Sequence, residues 1–319
     1  MKAVKSYLPD SPPGWVLWGL ILLLSVAPAI IFATDQVFYL DVTSRIMILA
    51  LAAVGLNLIV GYGGMVSFGH AAYFVIGAYS VGIPAYYDIY NGFVHLGLAI
   101  VLSALFALIT GAISLRTRGI YFIMITLAFA QMMYFTFVSM EEYGGDDGLV
   151  ILSRSRFPAL DMENDVVLYY LIFGALVLSL IFSYRLVWSR FGRVIVGSMH
   201  NEKRMQSLGF ETFRYRLACY VISGVICGIS GFFLANFTSF ISPEMTDWTH
   251  SAELLLILIL GGLGSLLGPV IGTFIIVLLE EWLSTITLYW QLYFGALLVA
   301  VVLFGKGGGI NGLLERKKN

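Results

Sequence analysis

Charge is what this 319-residue chain has least of. Asp, Glu, Lys and Arg make up 12% of it and hydrophobic residues 59%, against about 25% and 45–50% in soluble domains. With a mean hydropathy of +0.90, a soluble fold is excluded. From Ile46 to Tyr87 there is no Asp, Glu, Lys or Arg at all. Cysteine is also scarce. Cys219 and Cys227 share one apolar run, roughly on one helix face but too far apart along the axis to bridge, so they read as buried reduced thiols. No metal-ligand spacing occurs, and no metal or other cofactor is expected on the chain. The one Gly-Lys pair, Gly305-Lys306, is followed by glycine and lacks the frame of a phosphate-binding loop. No basic aromatic patch of the kind that binds nucleic acid is present. No nucleophile, base and orienting group fall together in one apolar segment, which argues against an intramembrane enzyme.

What is there is apolar helix. A crossing takes about 20 apolar residues, and the candidates are 15–33, 46–60, 67–87, 94–115, 119–138, 166–184, 215–235, 251–263, 267–283 and 289–305. The chain therefore reads as an all-α integral membrane protein of about ten transmembrane helices, some of them short or broken. Residues 1–14 form an N-terminal tail, 15–305 the polytopic domain and 306–319 a basic tail. Trp15–Ala33 reads as a retained first span, because no small-residue cleavage site follows it. Lys and Arg beside spans mark the cytoplasmic side. Lys2 and Lys5, Arg116 and Arg118, the segment 185–216, and Lys306, Arg316, Lys317 and Lys318 all fall inside if there are ten crossings with both ends in the cytosol. The loop 139–165 is then external and acidic, with Glu141, Glu142, Asp146, Asp147, Asp161, Glu163 and Asp165.

Two glycine-rich breaks echo each other. Gly61-x-x-Gly64 followed by Gly69 matches Gly261-x-x-Gly264 followed by Gly268. Paired broken helices point to a transport path near the midplane; close helix packing uses the same residues. The spans carry no evident buried acid or base apart from His70, since Arg45 and Glu253 fall near span ends. That weighs against proton-driven transport. Energy for uphill transport then has to arrive through a partner. The basic segment 185–216 is the natural contact, with an amphipathic helix over 188–205 at the interface and a break at Gly209 before Arg214 re-enters the membrane.

The stretch Gly55-Leu56-Asn57-Leu58-Ile59-Val60-Gly61-Tyr62-Gly63-Gly64-Met65-Val66-Ser67-Phe68-Gly69-His70 resembles the signature of branched-chain amino acid ABC transporter permeases. Arg118-Gly119-Ile120-Tyr121-Phe122, Thr126-Leu127-Ala128-Phe129-Ala130-Gln131, and Gly144-Gly145 with Asp147-Gly148-Leu149 resemble the larger, M-type subunit. Asn201-Glu202 running to Leu208-Gly209 is similar to the family's coupling motif. Ile241-Ser242-Pro243-Glu244 and Gly261-Gly262-Leu263-Gly264-Ser265 extend the resemblance over about residues 45–305. The family favours two alanines after the coupling Glu, whereas Lys203 and Arg204 stand here. The resemblance implies a bacterial inner-membrane importer built from two permease subunits, usually this type and a shorter homologue, with two cytosolic ATPases that use ATP and Mg and an external substrate-binding protein.

Candidate path residues are the polar side chains in or beside the spans: Asn57, Ser67, His70, Thr126, Gln131 and Ser265. Candidate coupling residues are Arg193, Glu202, Lys203, Arg204 and Gly209, and the helix breaks are Gly61, Gly64, Gly261 and Gly264. His70 reads as a packing histidine rather than a proton relay. His95, His200 and His250 lie near span ends and are expected to be solvated. A mostly apolar route suits an aliphatic zwitterion, and equally urea or a short amide. An ion-coupled carrier is the other transport reading.

Overall fold

The computed structural model describes residues 38–158 and 162–286, with scattered residues of 19–31 and 289–299. The expected spans 15–33 and 289–305 and both tails fall largely or wholly outside the described residues. The nine helices between them are α1 (Phe38–Val60), α2 (His70–Tyr86), α3 (Gly92–Ser114), α4 (Ile120–Val138), α5 (Asp165–Trp188), α6 (Arg190–Ser207), α7 (Thr212–Thr238), α8 (Trp248–Gly261) and α9 (Gly268–Ile286). Six of these, α1, α3, α4, α5, α7 and α9, are long and apolar enough to cross a membrane. Helix α2 has 17 residues and α8 only 14. Two-residue strands, β1 (Leu149–Val150) and β2 (Phe240–Ile241), pair antiparallel.

Helix α7 is the centre, packed on α1, α2 and α3. In lipid there is no hydrophobic drive between helices, so small residues and interhelical hydrogen bonds have to hold them. Helix α7 supplies both. Cys219, Ser223, Cys227 and Ser230 each donate to a carbonyl of α1, from Leu58, Gly55, Ala52 and Ile48 in turn. The order shows that α7 and α1 are antiparallel. Both cysteines are free and buried, as their spacing implied. Against α2 the helix presents Gly228 and Gly231, and a methyl group on either Gly77 or Gly231 would collide with the facing backbone.

The ends of the bundle separate by charge. At one end Arg118 and Arg216 meet Glu202 of α6. At the other Arg154 pairs with Asp165, and Tyr87 donates to Glu142. The described chain alternates between these ends from α1 to α7.

Three sequence expectations change. The span placed at 46–60 begins at Phe38, because Arg45 does not end it. Arg45 lies inside α1 and is neutralised by Glu280 at 3.1 Å and Glu281 at 3.7 Å on α9. The bundle therefore does hold ionisable groups besides His70. His95 is fully buried rather than solvated: its Nε2 donates to the Ile89 carbonyl and its Nδ1 accepts from Ser155 Oγ, both at 2.7 Å. Ser155 N in turn donates to Asn236 Oδ1, so the acidic loop is pinned to α3 and α7.

Candidate translocation and coupling sites

The two glycine breaks touch. A methyl group on Gly61 would lie 2.5 Å from the Gly264 nitrogen, and Gly264 itself has φ +73°, a region that L-residues avoid. Asn57 closes this contact. Its Oδ1 accepts from Gly264 N at 3.1 Å and its Nδ2 donates to Ser265 O at 2.8 Å. Ser265 Oγ then caps α9 by accepting from Gly268 N. One side-chain amide thus satisfies backbone groups that the turn between α8 and α9 leaves open.

From Gly64 to Gly69 the chain is irregular, and α2 begins inside the bundle. His70 sits at its start. Ser223 Oγ donates to Gly55 O, so it accepts from His70 Nε2–H. Nδ1 is then the acceptor of a hydrogen bond from the Ser67 hydroxyl, whose oxygen itself accepts from Gly69 N. The imidazole is neutral and every polar atom is used. Thr126 completes the tie: its Oγ1 accepts from Phe68 N and donates to Ile123 O. Five of the six candidate path residues, Asn57, Ser67, His70, Thr126 and Ser265, therefore fasten the breaks to the bundle. The sixth, Gln131, reaches elsewhere, with its Nε2 3.2 Å from Asp247 Oδ1. Asp247 precedes α8 and, with Tyr134, Asp146 and Glu244, lines a cavity of about 520 Å³. Sequence reasoning missed Asp247. The available signal was its place as a helix-starting residue six positions before Glu253.

At the basic end α6 is an amphipathic helix with Gly192, Val194, Ile195, Val196 and Ser198 buried. It starts on Ser189, whose Oγ accepts from Gly192 N. It kinks at Asn201, where φ −156° and ψ 94° interrupt the helix and Oδ1 accepts from Arg204 N to cap the second piece. Gly209, at φ +87°, ends it as expected. Of the candidate coupling residues, Arg193, Lys203 and Arg204 are exposed. Glu202 points inward: its carboxylate meets Arg118 at 3.0 Å, Arg216 at 3.1 Å and Thr212 Oγ1 at 3.0 Å. Arg118 and Arg216 are the partners that the sequence did not reveal. Met199 of α6 packs against Gly64, so the amphipathic helix touches the first break directly.

Among the described residues no group of three His, Cys, Asp or Glu side chains could hold a metal ion. The family model for the branched-chain amino acid transport system permease component matches residues 38–304. The chain belongs to that family. The permease is 26% identical to the high-affinity branched-chain amino acid transport system permease protein LivM of Salmonella typhimurium and 27% identical to that of Escherichia coli, in each case over 90% of this chain and 73% of the relative. It is also 26% identical to the LivH permease of Salmonella typhimurium, over 80% of this chain and 88% of that protein. No solved structure matches. The chain is thus a mostly helical, multi-pass membrane permease, and the relatives carry the names of transport permeases.

Proposed function

We propose that the chain is the M-type permease subunit of an ABC importer for branched-chain or related hydrophobic amino acids. The observation that carries this is the family match across both glycine breaks and the α6 motif. The chain would have no nucleotide site of its own. Two separate ATPase subunits would supply ATP and Mg chemistry, a shorter LivH-like homologue would form the second permease, and an external binding protein would deliver the solute. Ten crossings with both termini cytoplasmic in a bacterial inner membrane suit the charge separation of the two bundle ends. The paired glycine breaks suit a weak internal repeat.

The coupling face is the outer side of α6 and the turn after it. Arg193, Lys203 and Arg204 present charge there, and Leu208, Phe210 and Phe213 present apolar surface. A groove of about 390 Å³ runs between Gln206, Phe210 and Arg214. Glu202 belongs to the inner side and sets the angle of this face against α7. The test is co-purification in mild detergent followed by reconstitution. ATPase subunits that bind the chain, and uptake that needs ATP, are the expected result. Uptake by the lone polypeptide along an ion gradient would reject the reading.

A further inference from the structure

Helix α8 starts within the length of the bundle, not at its end. Gln131, which holds Asp247, lies eleven residues along α4 from Ile120, about 16 Å at 1.5 Å per residue. Ser251, in the first turn of α8, accepts from Ala71 N at the start of α2. That start is level with Ser223 through His70, and Ser223 is likewise eleven residues, about 16 Å, along α7 from Thr212. From the other ends, Gln131 is seven residues from Val138 and Ser223 fifteen from Thr238, so both ties set the first turn of α8 inside a hydrocarbon core about 30 Å thick rather than at its edge. The helix then descends to Gly261, beside the first glycine break.

Asp247, His250 and Glu253 recur every three residues; Asp247 precedes the helix, and His250 and Glu253 lie on one face about 4.5 Å apart along its axis. Glu253, expected near a span end, is the sixth residue of α8. His250 and Glu253 pair at 3.4 Å, yet their side chains remain 46% and 30% exposed. Other polar groups at this depth behave differently: His70, Ser67, Ser223 and Ser230 are fully enclosed. An acidic side chain facing lipid at a helix centre costs about 2.5–3.5 kcal/mol, and Asp and Glu are too short to snorkel from there as Lys and Arg do. The face is therefore unsuited to lipid and is left for water or a partner subunit to cover. The cavity at the acidic end is lined by Asp247, at the head of this series, with Asp146, Glu244 and Tyr134.

We propose that Asp247, His250 and Glu253 form one wall of the aqueous solute route, with Gln131 positioning its upper end. The wall offers carboxylates and an imidazole, the groups that can meet both charges of a zwitterionic amino acid as it passes. The idea rests on the importer reading above and specifies which face of the chain carries the solute.

The test uses the reconstituted complex. His250→Cys and Glu253→Cys are labelled one at a time with a charged, membrane-impermeant thiol reagent. Val101→Cys on α3 and Leu178→Cys on α5, both widely exposed apolar positions, serve as lipid-facing references. Native Cys219 and Cys227 are buried and add no background. Only a thiolate in contact with water reacts, so positions 250 and 253 should label at least about tenfold faster than the references, and solute should slow them. Equal, slow labelling at all four positions in every nucleotide state overturns the route. Glu253→Gln should raise KM for solute by roughly tenfold with ATPase binding unchanged, which marks a contact made on the route. A loss of uptake at unchanged KM, together with lost ATPase binding, would instead mark a scaffold residue and reject the assignment. ATP-driven uptake with 250 and 253 unlabelled rejects the route alone. Absence of any ATPase dependence rejects the importer reading whatever the labelling shows.

Discussion

Two sides of this molecule treat polar groups in opposite ways. Where α1, α2 and α7 meet, every named hydroxyl, thiol and imidazole is buried and bonded to a backbone or side-chain partner. Along α4 and α8, the side chains of His250 and Glu253 stay partly exposed, and Tyr121, Met124, Met132 and Phe135 of α4 are exposed. The first side is assembled by close contact and closed bonds. The second is left for something else to cover: water on the polar stripe and, in an importer, the second permease subunit. Rigidity on one side gives the other a fixed frame against which to move.

The largest effect that can break this contrast belongs in the closed side. Gly231→Val would drive a branched side chain into the Phe74 carbonyl. Overpacking a core costs about 1–3 kcal/mol even where side chains can give way, and here the obstacle is backbone. We expect no monodisperse protein after detergent extraction. A well-behaved Gly231→Val protein would show that α2 and α7 are looser than described. A comparable change on the open side, Met132→Val on α4, should leave extraction unchanged.

Next in size is the inward-facing carboxylate of α6. Glu202→Arg places a third cation beside Arg118 and Arg216. Insertion should survive, because the site lies at the bundle's end. ATP-driven uptake should fall by about tenfold or more, in line with the loss of a positioning contact. Unchanged uptake would show that this side chain does not couple. Lys203→Ala, on the outer side of the same helix, should instead weaken ATPase capture with a smaller effect on uptake by complexes already formed.

A smaller effect separates bonding from packing in the central ladder. Ser230→Ala removes one hydroxyl donor to Ile48 O and leaves the helix contact otherwise intact. Interhelical bonds of this kind average about 0.6 kcal/mol. Thermal stability in detergent should drop slightly and uptake should persist. A collapse of the fold would mean that the ladder, rather than the glycine contacts, carries the assembly.

How much of this was legible beforehand depends on period and range. Helix existence, the two glycine breaks, the amphipathic α6 and its end at Gly209 are local signals, and the apolar runs carried them. The contacts that give those residues their work are long-range. Asn57 meets Gly264 and Ser265 more than 200 positions away, and Arg45 is admitted to α1 only because Glu280 and Glu281 lie opposite. The depth of α8 was hidden for a related reason. A 14-residue helix looks like a poor crossing in a hydropathy profile, and nothing local says that its charged start is held in mid-bundle by Gln131 and Ala71. The argument from missing ionisable groups against a proton-driven carrier accordingly loses its force, and the family match takes its place.

His95 tests the same contrast at the acidic end with the smallest expected effect. Its ring is fully buried and joins Ile89 O to Ser155 Oγ, and Ser155 N continues to Asn236. The loop that bears Glu141, Asp146 and Asp147 is thereby fastened through its second half, where the Arg156 backbone also bonds to Tyr90 and Gly92. His95→Ala leaves the Ile89 carbonyl and the Ser155 hydroxyl without their partner, at a cost of about 1–3 kcal/mol where the site stays dry. Because the loop is peripheral, that cost should appear as local opening rather than global unfolding. Limited proteolysis should therefore cut within 151–158 faster in His95→Ala, while the thermal midpoint of the bundle holds and labelling of a cysteine at 250 is unchanged. Equal protease resistance would show that the backbone pairing at Arg156 and the β1–β2 bridge suffice to hold the loop. A shift of the labelling rate at 250 would show that the acidic loop and the α8 face move together, joining two regions that the geometry otherwise keeps apart.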